Sequence, residues 1–312
     1  MMYLHEAPDF ADLLAIVGRD ISVDPALVEK DYWIMHCLFG LQKAGYTFEM
    51  KGGTSLSKGY RLIHRFSEDI DIKIIPPDDL PIGKNQMNPA HVEARRRYFD
   101  DLASEIKIPG IVSVERDKAF DDDKMRNAGI RLRYDSKNAV PAGVKDGILL
   151  EAGFDVTAPN KPCDISSWAL DHALNVNAGE FADNRARAVA CYEPGYTFVE
   201  KLQTISTKFR KQQETGALPQ NFMRHYYDVY CLLKSGDVQA FIGTPEYRSH
   251  KDVRFRQGDE KEIAKNEAFF LRDVETRKLY EDAYLATRAL YYRDMPSFSD
   301  ILTAINNAAD RL

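Results

Sequence analysis

The stretch KGGTSLS at residues 51–57 and the stretch RFSEDID at residues 65–71 decide which fold this chain is expected to have. Apolar and polar residues alternate over Asp69–Ile75, and this pattern predicts a half-buried strand. Residues two apart in a strand point to the same face, so Asp69 and Asp71 project together. A cation relieves the repulsion between two such carboxylates. Their oxygen ligands suit Mg²⁺, with Mn²⁺ as the other candidate.

The Gly-Gly pair predicts a turn between a strand at Tyr46–Met50 and a short helix at Thr54–Ile63. Glycine lets backbone N–H groups approach a phosphate closely, and a helix N-terminus favours an anion. A glycine pair alone is usually only a turn, and Asp-x-Asp alone is often a solvated face, but their combination favours a functional site. The residues predicted to cradle nucleotide phosphates are Gly52, Gly53, Thr54 and Ser55.

Arg65 and Ser67 lie just before the two aspartates and are further candidates for nucleotide binding. An arginine there can hold a phosphate through its two-pronged guanidinium group, or it can pair with an aspartate as a structural contact. The sequence is compatible with both roles of this arginine, phosphate binding and structural pairing.

Composition bounds the class of protein. The chain has 312 residues, of which 44% are hydrophobic and 29% charged, so it can bury a sizeable core. Its net charge of -6 argues against an unspecific, strongly basic nucleic-acid-binding surface. There is no apolar run of transmembrane length, and the N-terminus lacks the pattern of a secretory signal. The four cysteines suit neither a zinc site nor a disulfide framework, so we expect a cytoplasmic protein without a membrane partner.

Periodicity elsewhere predicts an α+β fold in which a mixed sheet is followed by a mostly helical C-terminal half. We expect an N-terminal domain over 1–193 and a helical domain over 194–312. The predicted helices lie near 8–18, 25–43, 91–106, 197–212, 221–234, 260–290 and 297–310. The further predicted strands lie near 111–115, 129–134, 147–154 and 187–192.

These motifs resemble those of a known family. Gly-Gly followed by Asp-x-Asp is similar to the signature of DNA polymerase-beta-like nucleotidyltransferases. The chain as a whole resembles the AbiEii/AbiGii toxin nucleotidyltransferases, relatives of the MenT toxins. The resemblance spans 28–233 and leaves the last eighty residues without a comparable match. The segments that carry it are Val28–Trp33, Lys51–Tyr60 with Arg65–Asp71, Phe198–Leu202 and Arg224–Asp228.

The resemblance implies a third carboxylate from a later strand. Glu151, which follows Ile148–Leu150, fits best, and Asp155 is the second candidate. A charged strand end is the plain alternative. Glu151 is expected to touch the metal or the acceptor hydroxyl.

The resemblance also implies that Lys201 contacts nucleotide phosphates and that Asp228 is an active-site residue. A solvated lysine and a structural ion pair are the alternatives. A buried Asp228 needs a partner, for which Lys201, Arg224 and His225 are candidates.

Basic clusters are candidates for following an acceptor RNA backbone, with scattered surface charge as the equal alternative. They comprise Lys58 with Arg61, and Lys208 with Arg210 and Lys211.

The function implied by the resemblance is metal-dependent transfer of a nucleoside monophosphate from an NTP to an acceptor hydroxyl. The protein would be a toxin of a toxin–antitoxin or phage-defence system, neutralised by a cognate antitoxin. The 3′ end of tRNA is the leading acceptor. A protein or small-molecule acceptor, and GTP or RNA binding without transfer, are the alternatives. The sequence does not indicate which NTP is used or what residues 240–312 do.

Overall fold

The chain forms two compact units in a computed structural model, which describes residues 1–83, 87–139, 144–219, 221–293 and 295–312. The first unit contains Met1–Gly59 and Ser67–Tyr192. The second contains Glu193–Leu312 together with the short segment Tyr60–Phe66.

A seven-stranded mixed sheet forms the centre of the first unit, in the order β3-β4-β5-β2-β1-β7-β6. The pairs β2/β5 and β1/β7 are parallel, and the other neighbours are antiparallel. Ile70, Ile72 and Ile74 of β2 are buried, as the alternation predicted. The strands are β1 (Phe48–Lys51), β2 (Asp69–Ile74), β3 (Ile111–Asp117), β4 (Asn127–Tyr134), β5 (Ile148–Gly153), β6 (Asn160–Ile165) and β7 (Ala186–Tyr192).

Helix α2 of the first unit is buried along most of its length. Asp24 caps it as predicted, because its carboxylate accepts the N–H of Ala26 at 2.8 Å. Buried Asp31 accepts from the Lys58 ammonium at 2.6 Å and from the Trp168 N–H at 2.9 Å. The helices of this unit are α1 (Phe10–Ile21), α2 (Pro25–Lys43), α3 (Gly52–Thr54, continued by a π-helical turn at Ser55–Gly59), α4 (Pro89–Glu105) and α5 (Trp168–Asn175).

The second unit is helical. The segment Tyr60–Phe66 joins it through backbone hydrogen bonds from Phe66 N–H to Leu290 at 2.6 Å and from Tyr292 N–H to His64 at 3.2 Å. Its helices are α6 (Pro194–Thr215), α7 (Arg224–Leu232), α8 (Gly236–Phe241), α9 (Pro245–Arg254), α10 (Val274–Leu285) and α11 (Phe298–Ala308).

The α+β class and the mixed sheet are confirmed, but several details of the prediction were wrong. The helix predicted at Thr54–Ile63 ends at Gly59. The sequence reading missed β6, α5, α8 and α9. Pro162 lies within β6, which is an edge strand and therefore tolerates a residue without an N–H. The helix predicted over 260–290 begins only at Val274, where the Asp273 side chain caps it.

The predicted domains, 1–193 and 194–312, stay a prediction. The structural division differs from them because Tyr60–Phe66 belongs to the second unit. Among the described residues, no helix is long and apolar enough to cross a membrane.

Candidate active site

Three predicted carboxylates meet on one face of the sheet in the first unit. Asp71 of β2 pairs in register with Glu151 of the parallel neighbour β5. Asp69 lies two residues before Asp71 and so shares its face. Glu151 is the one residue of β5 that is not fully buried. The alternating pattern of β2 and the register of β5 together create this acidic group.

Asp69 combines a paired oxygen with an unpaired one. Its Oδ2 accepts from the Lys145 ammonium at 2.7 Å. Its Oδ1 is buried and has no hydrogen-bond partner in the described part of the chain. Burial raises the pKa of Asp69, against the opposing effect of Lys145. An orphaned carboxylate oxygen of this kind is costly, and it is suited to a ligand that arrives from outside the chain.

The acidic group suits a divalent cation by its oxygen chemistry and by the unpartnered Asp69 Oδ1. Within the described ranges, no three His, Cys, Asp or Glu side chains are already assembled around a common metal position. The fit therefore depends on the strand register, which fixes the backbones of Asp69, Asp71 and Glu151 side by side.

Glu151 has a strongly raised pKa. Burial raises its pKa to about 8, with further contributions from the negative charges of Asp71 and Asp69. Asp155, the second candidate for the third carboxylate, lies beyond the end of β5. Its Oδ2 is 3.7 Å from the Lys51 ammonium. Strand register thus places Glu151 directly beside Asp71.

The glycine pair at the start of α3 lies close to the carboxylates. Gly52 has a φ of +72°, and a Cβ added there would lie 2.1 Å from Oδ2 of Asp71. Only a residue without a side chain fits both the backbone angle and this contact. Gly53 is buried behind the turn.

The hydroxyl groups predicted to face phosphate lie in different environments. Thr54 and Ser55 are both fully buried. The Thr54 hydroxyl donates to the backbone carbonyl of Asp69 and thereby ties the turn to β2. Ser67 is half-buried at the entry to that strand. Backbone shape at Gly52 is therefore the clearest contribution of this segment to the site.

Sequence reasoning missed Lys145, which contacts Asp69, and the residues that position Lys145. The backbone N–H of Lys145 donates to Glu68 Oε2 at 2.8 Å. The buried ammonium of Lys30 lies 3.5 Å from that same oxygen and donates to the Lys145 carbonyl. Glu68 stands next to the Asp-x-Asp motif and could have been suspected. Lys145 lies in no recognisable motif, and only the fold brings it to Asp69.

A second group of predicted residues comes together in the second unit. Arg65 donates to both oxygens of Asp228 at 2.7 Å each, and both side chains are buried. The Lys201 ammonium lies 3.0 Å from Asp228 Oδ2. Lys201 was an expected partner of Asp228, whereas Arg65 was not, because 163 residues separate the two. Burial opposes the charge of Asp228, but Arg65 and Lys201 outweigh it and lower the pKa.

Positive charge exceeds negative charge around this pair. Lys201 and Lys208 approach the two ring nitrogens of His225, at 3.5 Å from Nδ1 and 3.2 Å from Nε2. A neutral imidazole has only one acceptor nitrogen, so it can accept from only one ammonium. Burial and the two lysines hold the pKa of His225 well below its ordinary value. Burial, with the charges of Lys201 and Arg224, lowers the pKa of Lys208 to about 8. Such a surplus of positive charge favours the binding of an anion.

Two of the other basic residues considered for RNA contact are engaged in ion pairs. Lys58 pairs with Asp31 at 2.6 Å. Arg210 pairs with Asp259 and Glu214, at 3.0 Å in each case.

We predict that Gly52→Ala destabilises the protein more than Gly45→Ala does. Both glycines have positive φ, +72° and +87°, but nothing lies within 4 Å of a Cβ at Gly45. The backbone cost of Gly45→Ala is about 1–2 kcal/mol. In Gly52→Ala, the collision of the new Cβ with Asp71 adds to a backbone cost of similar size. Urea unfolding of both variants measures the difference, and equal losses would contradict the assigned contact.

We predict that Asp228→Asn lowers the free energy of unfolding by about 3–5 kcal/mol, because it leaves the Arg65 guanidinium buried without its counter-charge. The exposed pair Lys278–Asp282 supplies the control, and Asp282→Asn should cost less than about 0.5 kcal/mol.

The pKa of Asp228 is lower in the folded protein than in the unfolded chain. The pair therefore stabilises fully above the unfolded pKa of about 4 and less as pH falls through the folded value. The free energy of unfolding, measured as a function of pH, should fall less at acid pH in Asp228→Asn than in the wild type. An unchanged dependence would refute the assignment.

Comparison with known proteins bears on this geometry. The chain matches the family model described as "Nucleotidyl transferase AbiEii toxin, Type IV TA system" over residues 33–304. It is also similar to the solved structure of MenT4, a nucleotidyltransferase toxin from Mycobacterium tuberculosis H37Rv, with a TM-score of 0.57 and 15% sequence identity. That similarity covers 94% of this chain and 87% of MenT4, and at this identity it shows the fold alone. No curated protein matches the chain by sequence.

Proposed function

Because the chain belongs to the AbiEii nucleotidyltransferase toxin family, we propose that it transfers a nucleoside monophosphate from an NTP to the 3′ end of a tRNA. The observation that carries the proposal is the acidic group on β2 and β5. In it, Asp71 pairs with Glu151, and Asp69 presents a buried, unpartnered oxygen. The family resemblance is confirmed over residues 33–304, a range that contains three of the four motifs, reaches the first only at Trp33 and includes most of the last eighty residues.

Asp69, Asp71 and Glu151 would hold the divalent cation, with Mg²⁺ as the first candidate. When bound, that cation supplies positive charge to offset the phosphate oxygens. The turn at Gly52 and Gly53 would admit the triphosphate close to the backbone. The half-buried Ser67 would line the same approach, and Thr54 and Ser55 would set the shape of the turn.

In the proposed reaction, the acceptor hydroxyl oxygen forms a bond to the α-phosphorus of the NTP. The bond from that phosphorus to the bridging oxygen breaks, and pyrophosphate leaves with the electron pair. The hydroxyl proton must go to a base. Glu151 would orient or deprotonate the hydroxyl. Burial favours the protonated form of its carboxyl, and a cation bound beside it would favour the ionised form that can accept the proton.

Cations of the second unit would bind the negatively charged phosphates of the NTP. Lys201 would contact the phosphates, and Arg65 and Asp228 would fix its position. The contacts in the structure support this, since Asp228 lies 3.0 Å from Lys201 and also accepts from Arg65. The surplus of positive charge around His225 suits a polyphosphate.

The family also implies partners outside the reaction. We propose a cognate antitoxin that neutralises the protein, a cytoplasmic site of action and a role in phage defence. The membership in a type IV toxin–antitoxin family supports these proposals.

We predict that Asp69→Asn and Glu151→Gln each abolish nucleotide transfer, whereas Asp155→Asn retains most of it. The reason is that Asp155 stands beyond β5 and faces Lys51, outside the aligned group. The purified protein is incubated with Mg²⁺, each labelled NTP in turn and total bacterial tRNA, and label in the tRNA band is counted. Activity that survives Asp69→Asn would refute the metal assignment, and loss in Asp155→Asn alone would move the third carboxylate there. Labelled product that resists RNase would indicate a protein or small-molecule acceptor instead.

A further inference from the structure

A cavity of about 670 Å³ lies within the second unit, apart from the lysines around His225. Three pieces of chain line it: the loop from Arg61 to His64, the C-terminal half of α7 with the residues after it, and the residues that lead into α11. Its size is typical of a pocket for a small ligand.

The charged residues that line this cavity, here called its rim, carry a net positive charge. Its cations are Arg61, Lys234 and Arg293, and its carboxylate is Asp300. Asp300 already accepts from the Ser297 hydroxyl at 2.7 Å. Among the described residues, none of the three cations forms an ion pair with a carboxylate within 4 Å.

Arg61 and Arg293 are both exposed, and each has one distinctive local feature. Arg61 has a φ of +56°, a left-handed conformation that is unfavourable for a residue with a Cβ. The Arg293 guanidinium lies 3.4 Å from Nε2 of His64. Burial and Arg293 lower the pKa of His64, so the ring is neutral and accepts this hydrogen bond.

Most of the uncharged residues that line the cavity are apolar or aromatic, and this set is here called the floor. Leu62, Cys231, Met295 and Pro296 line it together with the rings of Tyr227 and Tyr230. The Lys234 ammonium lies 3.9 Å from the centre of the Tyr230 ring and donates to its hydroxyl at 2.7 Å. An aromatic ring beside a cation is the arrangement that binds a nucleotide base and its phosphate in single-stranded nucleic acids.

The cavity shares its walls with the Arg65–Asp228 pair. His64 and Tyr227 directly precede Arg65 and Asp228 in the chain, and the His64 N–H donates to the Tyr227 hydroxyl at 3.3 Å. A ligand in the cavity would therefore rest on the two segments that carry this pair.

We propose that this cavity binds a nucleotide unit in the single-stranded end of the RNA acceptor, with the base on the aromatic floor and phosphates at the cationic rim. The inference rests on the proposed transfer to tRNA and adds the residues that recognise the acceptor. A nucleotide fits better than an acidic peptide because aromatic side chains line the same cavity as the cations. A free NTP shares this chemistry, so the experiment separates the two sources.

The test measures binding of a short 5′-labelled single-stranded RNA to the full chain by fluorescence anisotropy at several salt concentrations. The test variant is Arg61→Gln with Arg293→Gln. The matched control is Arg248→Gln with Lys278→Gln, which removes the same charge from exposed positions of the same unit. We expect the test variant to bind about tenfold more weakly at physiological salt. Its slope of log affinity against log salt should flatten by about 1.4, because each lost phosphate contact removes about 0.7 of a released counterion. The control should stay within about twofold of the wild type.

A second pair of variants tests the floor. Tyr230→Ala should weaken RNA binding about tenfold through lost stacking, while Tyr230→Phe keeps the ring and most of the affinity. Thermal unfolding of each variant separates a binding loss from a folding loss. Equal binding by Tyr230→Ala and wild type would overturn the base site.

Other outcomes also decide the proposal. Equal losses in the test and control double variants would mean unspecific attraction and would overturn it. A loss of affinity for an NTP or an acidic peptide, with RNA binding unchanged, would assign the cavity to that ligand instead. In the transfer assay, we expect a raised KM for RNA and an unchanged KM for NTP. If the wild type transfers to no RNA, the proposed function fails, while the binding data still decide the cavity.

Discussion

The parallel pairing of β2 with β5 is the constraint on which the catalytic face depends. These strands are neighbours in the sheet although more than seventy residues separate them in the chain. Their register sets Asp71 beside Glu151, and the period of two in β2 adds Asp69 to the same side. A shift of one residue in either strand would turn its acidic side chain to the opposite face. Burial of Ile70, Ile72 and Ile74 on the other face holds β2 in this register.

The charges around that face are balanced by residues from distant parts of the chain. Lys30 and Glu68 are both buried, and between them they fix the backbone of Lys145, whose ammonium reaches Asp69. Only one oxygen of Asp69 is satisfied in this way. The acidic group therefore retains capacity for a further positive charge. Burial raises the pKa of Glu151, and the negative charges of Asp71 and Asp69 raise it further.

The sequence predicted the parts of this arrangement that depend on local pattern. Alternation identified β2 and the shared face of Asp69 and Asp71, and family resemblance selected Glu151 over Asp155. Contacts between residues far apart in the chain left no such signal. Arg65 was read with the aspartates that follow it, yet it binds Asp228, because Tyr60–Phe66 packs with the helical unit. The edge strand β6 was also missed, since an edge strand that contains proline lacks the usual strand pattern.

The excursion of Tyr60–Phe66 limits how the protein can be divided. The chain passes from the first unit to the second after Gly59, returns after Phe66 and passes again after Tyr192. Cutting the polypeptide once near residue 193 would not give two self-sufficient pieces. The N-terminal piece would carry a guanidinium that has lost its carboxylate, and the C-terminal piece would carry a buried carboxylate that has lost its guanidinium. Gene fragments that end at this boundary therefore encode mutually dependent halves, which need to be produced together to form a complete protein.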